Sequence, residues 1–387
     1  MTKIVEYQDP ATEVRGWLAY DGTSFRLAAG GCRVQHGLDA EHISTLASRM
    51  RLKQQVLGLN VAGAKCGIDL DPLSDWKPAV LTGFLEFLRD ELCTQFSMGP
   101  DMGTTWSELN RYAARVGIPS VKYAIRAAQG LTDDEFFTRI DRLDDRCGAL
   151  TLGQRRAGHV LAHAAIAAAR ATGVTGSITV ALQGFGNLGR ATAATLSEEG
   201  VLLVVVADEE GTVTDFSGLN VENMLSSPLR TPVTQIGVDG RRAIPQAIFD
   251  VPADVLVLAG GADAMDQTQT AVPPFSVVTV GANCGLSQEA EIALDNRGVL
   301  VVPDIIGGIG GSASMEALFG PQRTPSAQQV LDSLAWMMRD LMDDIVSTSR
   351  RRNIVPREAA MLLAAEDTVD PAAPPYGTSR YLTTRAA

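Results

Sequence analysis

The sequence predicts an α/β protein of two domains. Three observations carry that reading. The chain has 387 residues, more than one hydrophobic core usually organises. From Ile178 to Val302 short β-branched runs alternate with Ala-rich stretches, the pattern of βαβ units and a parallel sheet. A glycine-rich turn, Gly184 to Gly189, sits between the first of those runs and a helical segment.

Residues 1–150 form the first expected domain, with short apolar stretches separated by glycine-rich turns. Asp39 is placed to cap a helix running through Leu52, with Ile43, Leu46, Ala47 and Met50 as its buried stripe. A long Ala- and Leu-rich helix, Ala149 to Ala171, leads into the second domain, 151–305. The expected strands there are Ile178–Leu182, Leu202–Ala207, Val255–Ala259, Val277–Val280 and Val299–Val302. Several are apolar throughout, as strands covered on both faces are. The remainder, 306–387, is expected to supply helices around Gln328–Val346 and Pro356–Ala365 that pack back on the first domain. A loose tail from Asp370 completes it.

Composition excludes several classes of function. A net charge of −12 argues against nucleic acid or an anionic membrane surface, since phosphate binding needs clustered Lys and Arg. The one dense basic run, Arg350-Arg351-Arg352, reads as the end of a helix, where cations face the negative pole. No segment has the ~18 apolar residues of a membrane span. Met1 to Val14 carries Glu6, Asp9 and Glu13 without an apolar core, unlike a secretory signal; a cytoplasmic protein is expected. Cys32, Cys66, Cys93, Cys147 and Cys284 contain no C-x-x-C pair and read as reduced thiols. His159 and His163 are four apart, but Val160 follows His159, so the zinc-hydrolase pattern fails and no metal is expected.

Gly184-Phe185-Gly186-Asn187-Leu188-Gly189 is a G-x-G-x-x-G turn with a strand before it and a helix after it. Asp208 ends the next strand at the spacing of the dinucleotide fingerprint. Gly184 permits the tight turn, Gly186 opens the backbone to a pyrophosphate, and Gly189 lets helix and strand approach. This makes residues 151–305 a Rossmann-type, doubly wound nucleotide domain. Glu209 and Glu210 beside Asp208 would repel a 2′-phosphate, so NAD is favoured over NADP.

Chemistry must come from the other domain. Three segments stand out there: Lys53 in Arg51-Leu52-Lys53-Gln54, Lys65 in Gly63-Ala64-Lys65-Cys66-Gly67-Ile68-Asp69, and Asp101 in Gly99-Pro100-Asp101-Met102-Gly103-Thr104. Taken alone, the lysines read equally well as surface charges and Asp101 as a turn residue.

Together with Gly30-Gly31-Cys32-Arg33, Thr151, the Gly184 turn, Gly281-Ala282-Asn283, Val302-Pro303-Asp304-Ile305-Ile306 and Gly310-Gly311, these segments resemble the glutamate/leucine/phenylalanine/valine dehydrogenase family. The resemblance runs over most of the chain. It implies a homo-oligomeric enzyme that oxidatively deaminates an L-amino acid with NAD, or runs the reverse reductive amination, in a cleft between its domains. Lys65 would activate the attacking water and Asp101 would shuttle protons at the substrate nitrogen. Lys53 would anchor the α-carboxylate, Thr151 and Asn283 would lie at the nicotinamide, and either Asn283 or Cys284 would make a second carboxylate contact.

Glutamate-specific members carry a lysine and a serine for the side-chain carboxylate, at positions that align here with Gly30 and Met315. Their absence leaves a buried second carboxylate unpaired, so a neutral, apolar or aromatic amino acid is expected. Gly308-Ile309-Gly310-Gly311 in place of the family's Asn-Ala-Gly-Gly, and Gln154 in place of a glycine, are further departures. Two alternatives stay open: a non-catalytic regulatory member, and an NAD-dependent dehydrogenase of another substrate class.

Overall fold

The computed structural model of the chain describes residues 2–22, 25–261, 264, 265, 269, 274–366 and 369–382. It divides into two compact units: Met1–Ile140 with Phe319–Thr324 and Ala364–Ala387, and Asp141–Leu318 with Pro325–Leu363.

The first unit runs β1 (Thr2–Gln8), β2 (Arg15–Asp21), β3 (Ala28–Val34), α1 (Ala40–Val56), β4 (Ala62–Ile68), α2 (Lys77–Phe87), α3 (Arg89–Thr94), β5 (Phe96–Pro100), α4 (Trp106–Arg115), α5 (Ala124–Gln129) and α6 (Asp133–Ile140). Its sheet has the order β1-β2-β4-β3-β5. β3 is parallel to both β4 and β5, and β2 antiparallel to β1 and β4.

Alternation along the strands sorts the side chains onto two faces. Leu18, Tyr20, Cys32, Val34, Ala64, Cys66, Ile68 and Met98 join the large core with Phe84, Leu85, Leu92, Leu109 and Tyr112 of the later helices. Trp17 and Ala19 face the other way and meet Ile43 and Ala47 of α1. The Asp39 side chain accepts the His42 N–H at 2.8 Å to start α1. Ile43, Leu46 and Ala47 of the expected stripe are buried, Met50 is only partly so, and the stripe continues to Lys53, Gln54 and Val56.

Tail residues 370–382 are anchored, against the loose tail expected. Tyr376 is 1% exposed and Tyr381 5%. Asn60 donates to Ala373 O at 2.6 Å, and Thr378 to Gly58 O at 2.9 Å. Two buried aromatic rings outweigh the looseness that the prolines imply.

The second unit runs β6 (Arg146–Cys147), β7 (Leu150–Thr151), α7 (Leu152–Ala171), β8 (Thr179–Gln183), α8 (Asn187–Glu198), β9 (Leu202–Asp208), β10 (Gly211–Thr214), α9 (Val221–Ser226), β11 (Arg241–Ala243), β12 (Val255–Leu258), β13 (Val277–Val280), α10 (Gln288–Asp295), β14 (Leu300–Val302), α11 (Asp304–Gly307), α12 (Gly310–Phe319), α13 (Ala327–Arg352) and α14 (Pro356–Glu366). The sheet order is β11-β10-β9-β8-β12-β13-β14. The five expected strands are its parallel part, a doubly wound arrangement whose order reverses between β8 and β12. β10 and β11 extend it antiparallel; their short Thr- and Arg-bearing segments carry no sequence periodicity.

The long helix α13 groups with the second unit rather than returning to the first as the sequence implied. A histidine explains the attachment. His159 of α7 faces Thr195 Oγ1 of α8 at 3.2 Å through Nδ1 and Leu331 O of α13 at 2.9 Å through Nε2. Both ring nitrogens are thereby used, and this buried residue serves as a tie between three helices. The basic run Arg350 to Arg352 forms the last turn of α13. No helix among the described residues is long and apolar enough to cross a membrane.

Burial, with the charge of nearby His163, pushes His159 down to about 3. The folded state holds the ring neutral, while the unfolded chain takes up a proton below its ordinary value of 6.5. Stability from this site is therefore complete above pH ~6.5 and is lost as pH falls toward the folded value. The melting temperature should fall more steeply between pH 6.5 and 4 in the native chain than in His159→Gln, read by circular dichroism. Equal slopes would refute the assignment.

Candidate active site

The first unit's candidate residues gather on the sheet face that α1 partly covers. Lys65 stands on β4, Arg33 on β3 and Asp101 directly after β5. The Lys65 ammonium and the Asp101 carboxylate are paired, and Arg33 Nε reaches the same Oδ2 at 3.1 Å. Lys65 is 3% exposed and Arg33 6%. Burial pushes the Asp101 carboxyl up, but the Lys65 ammonium and the Arg33 guanidinium outweigh it and hold the group well below the usual carboxylate range. The aspartate is therefore held as an anion, with its proton affinity lowered while both cations face it.

Local bonds fix this geometry. Asp101 N donates to Thr104 Oγ1 at 3.0 Å, and that hydroxyl donates to Cys32 O at 2.8 Å. Val34 N donates to Met102 O at 3.0 Å. The turn after β5 is thus laced to β3, which places the carboxylate over Gly31. A Cβ on Gly31 would lie 3.0 Å from Asp101 Cβ and 3.3 Å from Lys65 Nζ, so a bare backbone there forms the floor of the pair. On β4, Gly63 has another purpose: its Cβ would lie 2.2 Å from Ala47 O, so its absence lets α1 lie close to the sheet. Lys53 sits in the last turn of that helix, 4% exposed.

Gly30 requires a correction. A Cβ at this position would lie 1.7 Å from Ala64 O, so no side chain could stand there, and alternation turns the position away from the Lys65 face. Among its neighbours, Ala29 and Gly31 face the pair. Ala29 is 8% exposed and carries no polar group.

In the second unit, Gly184 adopts φ +90° at the end of β8, and a Cβ there would meet Gly260 Cα at 2.5 Å, across the point where the strand order reverses. Gly189 packs against the same turn, its would-be Cβ 1.8 Å from Gly184 O. Gly186 meets nothing within 4 Å and opens α8 with no side-chain cap, leaving the first N–H groups of the helix for an anion. Gly186 and Asn187 are exposed. Phe185 lies 6% exposed, under the Arg190 guanidinium, and Leu188 borders Gly281, so these two side chains pack rather than face outward. The turn fits a dinucleotide's pyrophosphate.

The Asp208 carboxylate accepts Glu210 N at 2.9 Å, Gly211 N at 3.1 Å and Val233 N at 2.7 Å, which fixes its orientation beside exposed Glu209 and Glu210. Thr151 caps α7 in a reciprocal pair with Gln154, so the departure at residue 154 supplies the cap. Asn283 lies in the turn after β13, before Cys284 at φ +58°; Cys284 N donates to Asp304 Oδ2 at 3.1 Å. Met315 is buried in α12 at 2% exposed. Among the described residues no group of three or more His, Cys, Asp or Glu is placed to hold a metal ion.

Sequence reasoning quoted Arg33 within a motif but gave it no role; Lys122 beside β5 is also buried and donates to Ser97 Oγ. Nothing in the sequence around Lys122 distinguishes it.

Two family models match the chain. Residues 155–372 match the family model described as Glutamate/Leucine/Phenylalanine/Valine dehydrogenase. Residues 2–116 match that of the Glu/Leu/Phe/Val dehydrogenase dimerisation domain. A glutamate dehydrogenase of Thermotoga maritima is 29% identical over 49% of this chain and 46% of its own length, so the match spans less than half of that relative. The NAD-specific glutamate dehydrogenase of Staphylococcus aureus is 24% identical over 92% of this chain and 85% of that one. Among solved structures, the hetero-hexameric glutamate dehydrogenase of Thermus thermophilus, Leu-bound, superposes with a TM-score of 0.74 at 24% identity, over 94% of this chain and 87% of that one. The L-tryptophan dehydrogenase of Nostoc punctiforme gives 0.62 at 16% identity, over 94% and 95%. Both share the fold.

Gly189→Ala should push the helix off the strand and weaken NAD binding at least ~10-fold, equivalent to roughly 1.4 kcal/mol. Titration by nicotinamide fluorescence measures it, and unchanged affinity would remove the turn from the site.

Proposed function

The chain belongs to the glutamate/leucine/phenylalanine/valine dehydrogenase family, and from that footing we propose that it oxidatively deaminates an L-amino acid with NAD, or runs the reverse reductive amination. The observation that carries the proposal is the buried triad of Lys65, Asp101 and Arg33 over the bare Gly31 backbone.

Each residue has work that follows from its chemistry. Lys53 holds the α-carboxylate as a buried cation. The substrate arrives with a protonated amine, which must lose a proton before the carbon–nitrogen bond can become an imine. Asp101, ionised in this site, is the acceptor assigned to that proton, and the cations beside it must shift toward the substrate for it to act as a base. The glycine turn, Asp208, Thr151 and Asn283 hold NAD, which, when bound, supplies the acceptor for the hydride from Cα. Lys65 then directs a water to the imine carbon and steadies the charge that develops as the carbinolamine forms, the water's two O–H protons leaving to solvent as it forms and then collapses to the 2-oxo acid. Asp101 returns its proton to the departing nitrogen. Met315 borders the substrate side chain.

NAD rather than NADP is supported by the carboxylates of Asp208, Glu209 and Glu210 together, and by the NAD-specific relative. The match of residues 2–116 to a dimerisation domain supports a homo-oligomer. The neutral substrate expected from sequence rested on positions 30 and 315. The first of these faces away, so side-chain selection rests on what else stands on the Lys65 face.

Lys65→Ala should cut kcat by at least ~1000-fold while NAD affinity stays within ~2-fold, as measured by nicotinamide absorbance across L-amino acids and by fluorescence titration. Turnover surviving in this variant would overturn the assignment of the lysine. Absence of turnover in the native chain on a full amino-acid and 2-oxo-acid panel would favour a non-catalytic family member.

A further inference from the structure

Arg357 belongs to no motif, and no step above uses it. It stands at the start of α14 and closes on two carboxylates. Nε and Nη2 donate to Glu291 Oε2 and Oε1 of α10 at 2.7 and 2.6 Å, and Nη2 also donates to Asp304 Oδ1 at 2.7 Å. Both acidic residues are buried. Two carboxylates that share one nitrogen are compatible with burial only while a guanidinium lies between them.

Asp304 carries the effect of this arrangement onward. Its second oxygen, Oδ2, accepts Cys284 N at 3.1 Å. Cys284 has φ +58°, a left-handed backbone that a residue with a Cβ keeps only where its surroundings impose it. The amide that Asp304 takes is thus that of the strained residue in the turn, and Asn283 directly precedes it.

Strand register says where this turn lies. β13 and β14 are parallel, Val277 paired with Leu300 and Thr279 with Val302, so the turn after β13 and the Asp304 helix both leave the carboxyl edge of the sheet. The Gly184 turn leaves the same edge, from β8. In open sheets of this kind that edge is where ligands bind.

We propose that Arg357 is a positioning residue for the cofactor: through Asp304 it holds the Cys284 backbone in its left-handed state, and so sets where Asn283 stands at the nicotinamide. This rests on the reading above in which Asn283 contacts that ring. Without the guanidinium, Glu291 and Asp304 repel each other, Asp304 turns from the Cys284 amide, and the turn relaxes to the ordinary backbone region. The other end of NAD depends on separate bonds, since the Asp208 carboxylate is oriented by the N–H groups of Glu210, Gly211 and Val233.

The test titrates NADH and ADP-ribose, which lacks the nicotinamide ring, by calorimetry against four chains: native, Arg357→Met, Asp304→Ala, and Arg357→Met combined with Cys284→Gly. Arg357→Met should weaken NADH at least ~10-fold while ADP-ribose stays within ~2-fold. Asp304→Ala, which leaves Arg357 and Glu291 as a balanced pair, should show the same selective loss; it carries the test if Arg357→Met melts below the assay temperature. Glycine takes a positive φ without strain, so Cys284→Gly should recover at least ~3-fold of the affinity lost in Arg357→Met, which a cation that only supports the fold would not show. Equal losses on both ligands, no loss on either, or no recovery through residue 284 would overturn the proposal and leave the NAD reading intact. If the folded native chain binds NADH no more tightly than ADP-ribose, the placement of Asn283 fails, and the role of Arg357 with it.

Discussion

One carboxylate held between two buried cations governs the first unit. Ion pairs taken out of water stand only where their geometry is complete, and removing one partner leaves a charge that the interior cannot tolerate. Lys65 and Arg33 come from neighbouring parallel strands, and Asp101 from the turn beyond a third. All three strands must therefore keep a single register. The parallel pairing of Cys32 with Cys66, and of Cys32 with Pro100, supplies it. A slip of one residue would turn each charged group into the apolar core on the other face. Gly30 belongs to the same constraint: only a residue without Cβ lets β3 approach Ala64 closely.

The second unit follows a different rule, that of close backbone approach. Gly184 against Gly260 and Gly189 against Gly184 bring a strand, a turn and a helix together so tightly that Gly186 is left bare and outward. Behind that turn, α7 lies on α8 with the would-be Cβ of Gly158 2.4 Å from Thr192 N. His159, its neighbour, ties both helices to α13. The anion-facing turn is therefore backed by the most densely tied part of the unit.

What could be read in the sequence was what is written contiguously. The Gly184 to Gly189 turn carries its strand, its helix and its acidic partner at fixed spacing, and the five parallel strands announce themselves by β-branched apolar runs. Lys65 and Asp101 stood out only through the resemblance of their short glycine-bearing motifs to a family, since alone they read equally well as surface charges and a turn residue. Arg33 stood in plain view, yet nothing local says that it shares an oxygen with Lys65. The facing of Gly30 depends on strand parity and on Ala64, thirty-four residues away in the chain, so the motif alone did not show which way it faces. The tail misled because its prolines describe a chain free in solvent, whereas Tyr376 and Tyr381 supply the contacts that hold it.

The first unit is discontinuous, with its bulk ahead of residue 140 and its last pieces at 319–324 and beyond 363. During synthesis the sheet with its charged triad emerges early, but Gln129 waits for Tyr376, whose backbone it meets in both directions, at 2.9 and 3.1 Å. Completion of the reactive half thus waits on a segment that follows the whole nucleotide-binding half in the chain. The nucleotide-binding half, assembled from the intervening segment, needs nothing beyond residue 363, so a truncation ahead of Tyr376 would leave the dinucleotide fold finished and the first unit unfinished.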